Sequence, residues 1–316
     1  MTISGFTMVK NAAKLYYPIK AVIQSVLPIV DEFVVALGDG DPDDTTLQEI
    51  NSIGSSKIKI IHTKWDIQSF PNGMENAHQT DIAMKSCTGD WLFYLQADEV
   101  VHEKYLDTIY KRCSDLKDDE RVEGLLFNYL HFWGDYQHYA VAHGWYPYEI
   151  RIVRNKPDIH SFESAQSFRR IPTFDGKSYR QKNGAYKLNV APVDAYIYHY
   201  GWVRPPHLMQ AKSKSLETIH KGSEWVENKY GKKSKVFDYG PLGRLPVFKG
   251  THPEVMKSFI EQFDWAGQLN YKEFPLPKRS LFKHERLKYR CLNIFEQNLM
   301  GGKQIFSYQN WNLMNV

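Results

Sequence analysis

The feature that most constrains this chain is the order of its hydrophobic patterns over the first hundred residues: short β-rich runs alternate with amphipathic helical ones. Residues 2–8 form a short apolar run that suits a buried strand. Ile19, Val22, Ile23, Val26 and Leu27 then fall on one face of a helix, with Pro18 in its first turn, where a backbone N–H has no helical acceptor anyway. Residues 33–37 are strand-like and end at Gly38. Leu47, Ile50 and Ile53 mark a helix, residues 58–61 a strand, 75–87 a helix and 91–95 a strand. Tyr105, Leu106, Ile109, Tyr110 and Cys113 give a further helix. Strands that alternate with helices imply crossover connections. The expected fold is α/β, a mixed, mostly parallel sheet with helices on both faces. Ligands bind such sheets at the carboxyl ends of the strands, which directs attention to the loops after Leu37 and Leu95.

Beyond residue 117 the pattern changes. Residues 122–132, 145–153 and 196–200 are strand-like, while 160–190 look irregular, as an acceptor-binding region often is. From His207 a helix carries Leu208, Ala211, Ser215, Leu216 and Ile219 on one face. Residues 240–250 form a Gly/Pro-rich connector, and Val255, Met256, Phe259, Ile260 and Phe263 a compact amphipathic helix. The chain divides into a domain over 1–204 and a mainly helical C-terminal extension over 205–316. Three scattered cysteines, Cys87, Cys113 and Cys291, suit a reducing cytoplasm better than a disulfide framework or a zinc site. The N-terminus lacks the pattern of a signal peptide, and no apolar stretch is long enough to span a bilayer. A net charge of +4 over 316 residues argues against a nucleic-acid partner. The basic, aromatic-interleaved tail 272–290 suits peripheral contact with anionic lipid at the inner face of a membrane, or packing on the domain.

Both loops at the predicted strand ends are acidic. Asp39, Asp41, Asp43 and Asp44 crowd between a strand and a helix. A turn and an N-cap account for one or two of them, and a calcium loop would need a downstream Glu ligand that is absent. Carboxylates there can accept from ribose hydroxyls or from the imide N–H of a uracil. The second loop, residues 95–100, brings Asp98 and Glu99 to the end of an apolar strand, where acids either cap the next helix or hold a hard cation such as Mg²⁺ or Mn²⁺.

Together the two loops resemble those of GT-A glycosyltransferases, family 2 in particular. Residues 3–13 are similar to that family's first strand and Lys-Asn turn. Residues 33–45 are similar to its acidic nucleotide loop, and 89–99 to its Gly-Asp-Trp strand ending in Asp-Ala-Asp-Glu. The likeness covers residues 1–110, and more loosely extends to 204. It implies a GT-A (Rossmann-like) fold and a metal-assisted, inverting transfer of sugar from a nucleotide-diphosphate donor, a UDP-sugar foremost, to a saccharide or lipid-linked acceptor. It implies that Lys10, Asp39, Asp43, Gln96, Ala97 and Arg204 contact the nucleotide sugar. Asp98 would hold the metal, with His199 as a further ligand, and Arg151 is another candidate for balancing diphosphate charge. Glu163, which stands where the family often has a His-Glu pair, would be the catalytic base, with Glu99 and Asp158 as rivals. The first acid of the family's Asp-x-Asp is Gln96 here, which adds no charge and keeps in view a weak or silent relative that only binds carbohydrate or nucleotide. The dense aromatic stretch between Trp133 and Tyr148 would supply stacking faces for an acceptor. His131, His138 and His143 fit no zinc spacing and read as structural or acceptor-side residues. A nucleotidyltransferase would need a glycine-rich first loop, which residues 7–11 lack.

Overall fold

The computed structural model describes residues 1–231, 236–305 and 309–316. The first part of the chain follows the predicted alternation, with β1 (Ile3–Val9), α1 (Ile19–Val26), β2 (Glu32–Gly38), α2 (Thr46–Asn51), β3 (Ile58–Thr63), α3 (Met74–Lys85) and β4 (Trp91–Tyr94); a short strand, β5 (Glu99–Val101), then begins within the loop expected over 95–100, before the expected helix α4 (Leu106–Asp115). Strands then dominate: β6 (Gly124–Trp133), β7 (Tyr139–Ala140), β8 (Tyr148–Arg154), β9 (Ile159–Phe162), β10 (Ser167–Arg170) and the long β11 (Tyr186–Trp202). The region 160–190 therefore carries paired strands at both ends, where irregular chain was expected. The rest holds α5 (Pro206–Lys221), α6 (Ser223–Tyr230), α7 (Lys257–Glu261), α8 (Leu287–Leu299) and β12 (Trp311–Leu313).

The sheet runs β3-β2-β1-β4-β8-β6-β11-β10-β9, with β5 and β12 also on β11 and β7 on β6. β3, β2, β1 and β4 are parallel. β8 is antiparallel to both β4 and β6, so β6 points the same way as β4, and β11 is parallel to β6. The carboxyl ends of β1, β2, β3, β4, β6 and β11 consequently share one edge, and this is the consequence of the topology that matters for function.

Alternate side chains feed two cores. Phe33, Val35, Trp91 and Phe93 face α1 and α4, whose Val22, Val26 and Ile109 meet them. Phe6, Val34, Ala36, Leu92 and Tyr94 face the other way, onto Ala83 and Met84 of α3. A period of two on strands buried on both faces gives this double layer. Each fully buried large side chain contributes roughly 1.5–3 kcal/mol. The segment after residue 204 carries α5 to α8, and its one named strand, β12, returns to the sheet, pairing Trp311 with Leu188, while Arg112 Nη2 donates to the Val316 carbonyl at 2.6 Å. Among the described residues, no helix is long and apolar enough to cross a membrane.

Candidate functional site

The shared carboxyl edge opens into a cleft of about 720 Å³. Lys10 enters it from the end of β1, Trp65 from beyond β3, and Gln96, Ala97 and Asp98 from beyond β4. α5 crosses the opening and lowers Lys212 into it.

At the β1 side, Lys10 Nζ donates to Asp39 Oδ1 at 3.0 Å, and the Trp65 backbone N–H donates to the same oxygen at 3.1 Å. Asp39 does not itself line the cleft; it fixes two residues that do. Gly38 leaves no room for a Cβ against the Trp65 indole, and the indole Nε1 is buried without a hydrogen-bond partner. Asp43 lies elsewhere than expected. Lys14 Nζ gathers Asp43 and Asp41 at 2.7 Å each on the outer side of the loop, which pulls Asp43 away from the cleft lining. Asp44 accepts from the backbone of Lys14 and Thr46. The acidic cluster is thus largely a loop clamp.

The centre is built on Asp98, His199 and Lys212. Lys212 Nζ donates to Asp98 Oδ2 at 3.0 Å and to the Gly201 carbonyl at 2.6 Å, while His199 Nε2 stands 3.7 Å from Asp98 Oδ1. Gly201 is required for this convergence, because a Cβ there would lie 2.5 Å from His199 Nε2 and 2.7 Å from Asp98 Oδ2. Burial opposes the Asp98 charge, but the cations Lys212 and Arg204 outweigh it and hold the carboxyl well below the usual carboxylate range. Burial, joined by the charge of Arg204, lowers Lys212 to about 8 against the pull of Asp98, so the ammonium is still the main form at neutral pH.

The tautomers follow from the hydrogen bonds. His131 Nε2 lies 2.7 Å from the Tyr146 carbonyl and must donate to it. Burial keeps His131 neutral, so its Nδ1 is an acceptor, and the partner 3.0 Å away, His199 Nδ1, must be the donor. The lone pair of neutral His199 is then on Nε2, beside Asp98.

A hard divalent cation needs several oxygen ligands around one point. Here Gln96 offers only a neutral amide, and Asp98 Oδ2 already accepts from a buried ammonium. Among the described residues, no group of three His, Cys, Asp or Glu side chains could hold a metal ion. The side chains do not fit the Mg²⁺ or Mn²⁺ expected on Asp98 and His199, although the two residues do meet.

Other expected residues are placed as follows. Gln96 lines the cleft and donates from Nε2 to the Ala165 carbonyl at 3.0 Å. Glu99 does not reach the cleft; it is fully buried, bridged by Arg151 Nε and Nη2 at 2.7 Å each, and accepts from Tyr129 Oη at 2.9 Å. Neither Glu99 nor Arg151 is free for a ligand. Glu163 is also outside the lining. Its backbone is left-handed, with φ 58°, and the neighbours Ser164 and Gln166 face the cleft instead. Arg204 lies beneath the site, fully buried over the Tyr17 ring at 4.5 Å. One nitrogen donates to the Leu15 carbonyl at 3.0 Å, while Nε and Nη2 have no partner.

The wall beside Lys212 and His131 is aromatic. Trp133 and Trp202 stack at 4.9 Å, and Trp145 meets both edge-on. Part of the basic tail completes this wall, since Phe282, Lys283 and His284 line the cleft. His138 and His143 are structural, paired with Asp135 and Glu296. Trp65 and Lys212 were not singled out by sequence pattern, and residues 282–284 were marked only as part of a tail meeting lipid or packing on the domain. Lys212 left one trace, a lysine in phase with the buried Met209 on α5.

No family model matches the chain, and no curated protein matches it by sequence. Solved structures match in part. S. aureus TarS 1-349 in complex with UDP is 16% identical over 69% of this chain and 65% of that one, with a TM-score of 0.39. The longer S. aureus TarS is 16% identical over 74% of this chain and 41% of its own, with a TM-score of 0.38. The glucosyl-3-phosphoglycerate synthase from Mycobacterium tuberculosis, in complex with Mn²⁺, UDP and phosphoglyceric acid, is 18% identical over 41% of this chain and 43% of its own, with a TM-score of 0.28. The match thus spans less than half of the synthase and of the longer TarS chain.

Proposed function

We propose that the chain is a glycosyltransferase that moves a sugar from a nucleoside-diphosphate donor, a UDP-sugar foremost, to a hydroxyl of a saccharide acceptor. The observation that carries this reading is a single cleft that brings a buried ammonium, Lys212, and a stacked tryptophan pair side by side at the carboxyl edge of the sheet. Cations suit a diphosphate and aromatic faces suit sugar rings. The likeness of the 1–110 loops to GT-A enzymes supports the same reading. Lys10 and Trp65, fixed by Asp39, would receive the nucleoside. Gln96 and Ala97 would border the ribose and diphosphate.

The proton acceptor in this reading is His199 Nε2, the free lone pair nearest the centre, rather than Glu163 or Glu99. The acceptor oxygen bonds to the anomeric carbon as its proton passes to Nε2, the bond from that carbon to the diphosphate oxygen breaks, and the nucleoside diphosphate leaves with the electron pair. Asp98 stabilises the imidazolium that forms. The test is release of nucleoside diphosphate from a panel of nucleotide sugars with mono- and disaccharide acceptors. Turnover is expected, and His199→Gln should lower kcat by about 10²–10⁴-fold with little change in the donor KM. A wild-type protein that neither transfers nor hydrolyses any sugar in the panel refutes transfer and leaves a carbohydrate- or nucleotide-binding protein.

A further inference from the structure

We infer that the Lys212 ammonium is the fixed cation of this cleft, filling the charge role of a divalent ion and binding the diphosphate of the donor directly. The inference rests on the nucleotide-sugar reading above and deepens it.

The first ground is that a lysine is buried here at all. Lys212 is 8% exposed, and removing an ammonium from water is costly unless it is paired. The surroundings are built around it: Asp98 Oδ2 at 3.0 Å, the Gly201 carbonyl at 2.6 Å, and the ring faces of Tyr17 at 5.1 Å and Trp202 at 5.8 Å. Gly201, which cannot gain a Cβ, brings its own carbonyl and the Asp98 carboxylate to the same point. A side chain that merely found its way into a gap would not have a carboxylate, a carbonyl and two ring faces arranged about its tip.

The second ground is the charge balance. Among the described residues, Asp98 is the one carboxylate lining the cleft. Around it stand Lys212 and the fully buried Arg204, whose Nε and Nη2 have no hydrogen-bond partner. Two buried cations against one anion leave the centre positive, which is the state expected before an anionic ligand arrives. An ammonium has three donors, and Asp98 and Gly201 use two, so one remains for an oxygen in the cleft.

The third ground is the misfit with a metal. Gln96 supplies a neutral amide where a second carboxylate would be needed, and one of the two Asp98 oxygens, Oδ2, already accepts from Lys212. Asp98 therefore serves as a positioning residue, anchoring the lysine as it would have anchored a cation. During transfer, charge accumulates on the departing diphosphate, and an ammonium held by the fold stabilises it with little reorganisation.

The experiment is calorimetric titration of the full chain with UDP and with inorganic pyrophosphate, each in EDTA and, for UDP, in excess Mn²⁺. Pyrophosphate makes the result independent of which base the cleft prefers. The wild type is expected to bind both in EDTA, with the UDP affinity changed less than about threefold by Mn²⁺. Lys212→Met should weaken both ligands by roughly 10–100-fold, the loss of one charge-assisted hydrogen bond, and Lys212→Arg should restore most of it. Thermal melts accompany each variant; if Lys212→Met does not fold, the wild-type EDTA arm and Lys212→Arg still decide. UDP binding that is absent in EDTA and returns with Mn²⁺ overturns the inference while sparing the nucleotide-sugar reading. So does a folded Lys212→Met that binds pyrophosphate like the wild type. No binding of either ligand under any condition overturns both.

Discussion

Glu149 shows how burial alone can set a residue's chemistry away from any ligand. It sits at the start of β8, buried, accepting from Ser167 Oγ at 2.8 Å and from the Ile150 N–H at 2.9 Å. Burial, opposed by Arg151, raises its carboxyl from an ordinary 4.5 to about 7. The folded state therefore keeps a proton that the unfolded chain releases above pH 4.5. Stability should fall as pH rises from about 4.5 to about 7 and level off above that. Glu149→Gln removes this titration. Its urea midpoint is expected to match the wild type near pH 5 and to exceed it at pH 8, by a difference on the order of 2–3 kcal/mol. An advantage that does not change with pH would refute the assignment. The same residue scale explains two unfulfilled expectations. Asp43 is drawn off by Lys14, and Glu99 by Arg151. A carboxylate in a promising position goes to whichever cation the fold places nearest, and sequence spacing does not reveal that cation.

At the scale of elements, the Glu99–Arg151–Tyr129 cluster ties β5, β8 and β6 together beneath the cleft. Both charges are fully buried and bidentate, so removing one strands the other in a low-dielectric site. Glu99→Ala is expected to cost about 3–5 kcal/mol, measured by denaturant titration. Glu99→Leu combined with Arg151→Met should recover most of that loss, because two apolar groups need no partner. Equal losses in the single and double variants would place the cost in packing rather than in the stranded charge. α5 has the complementary role on the other side of the cleft, where it holds Lys212 over the strand ends. Apart from the three-residue β5, the strands and helices of the first 115 residues were legible because their periods differ and Gly38 and Pro18 punctuate them. β9 and β10 were not: four-residue strands among polar residues leave too short a pattern to separate from loop.

For the whole molecule, the topology makes one edge the meeting place of six strand ends, and a ligand bound there touches segments from residue 10 to residue 284. Binding should thus stabilise the fold globally. A nucleoside diphosphate at one hundred times its Kd is expected to add about 2.7 kcal/mol, read as an upward shift of Tm by several degrees, with the nucleoside alone giving less at equal concentration. A Tm unmoved by any nucleoside diphosphate at millimolar concentration contradicts the proposed site.

The sequence by itself determined the layer order of the N-terminal half, the edge that opens into the cleft and the loops that form it. Those features depend on local hydrophobic period and on the residue at each strand end, both of which are written along the chain. Tertiary structure alone decided which charges meet. Lys212 reaches Asp98 across 114 residues, Arg151 takes Glu99, and Phe282, Lys283 and His284 close the wall begun at Trp133. The physical reason is that an ion pair or a ring stack depends on distance in space, and between distant segments that distance is fixed only when the sheet is assembled.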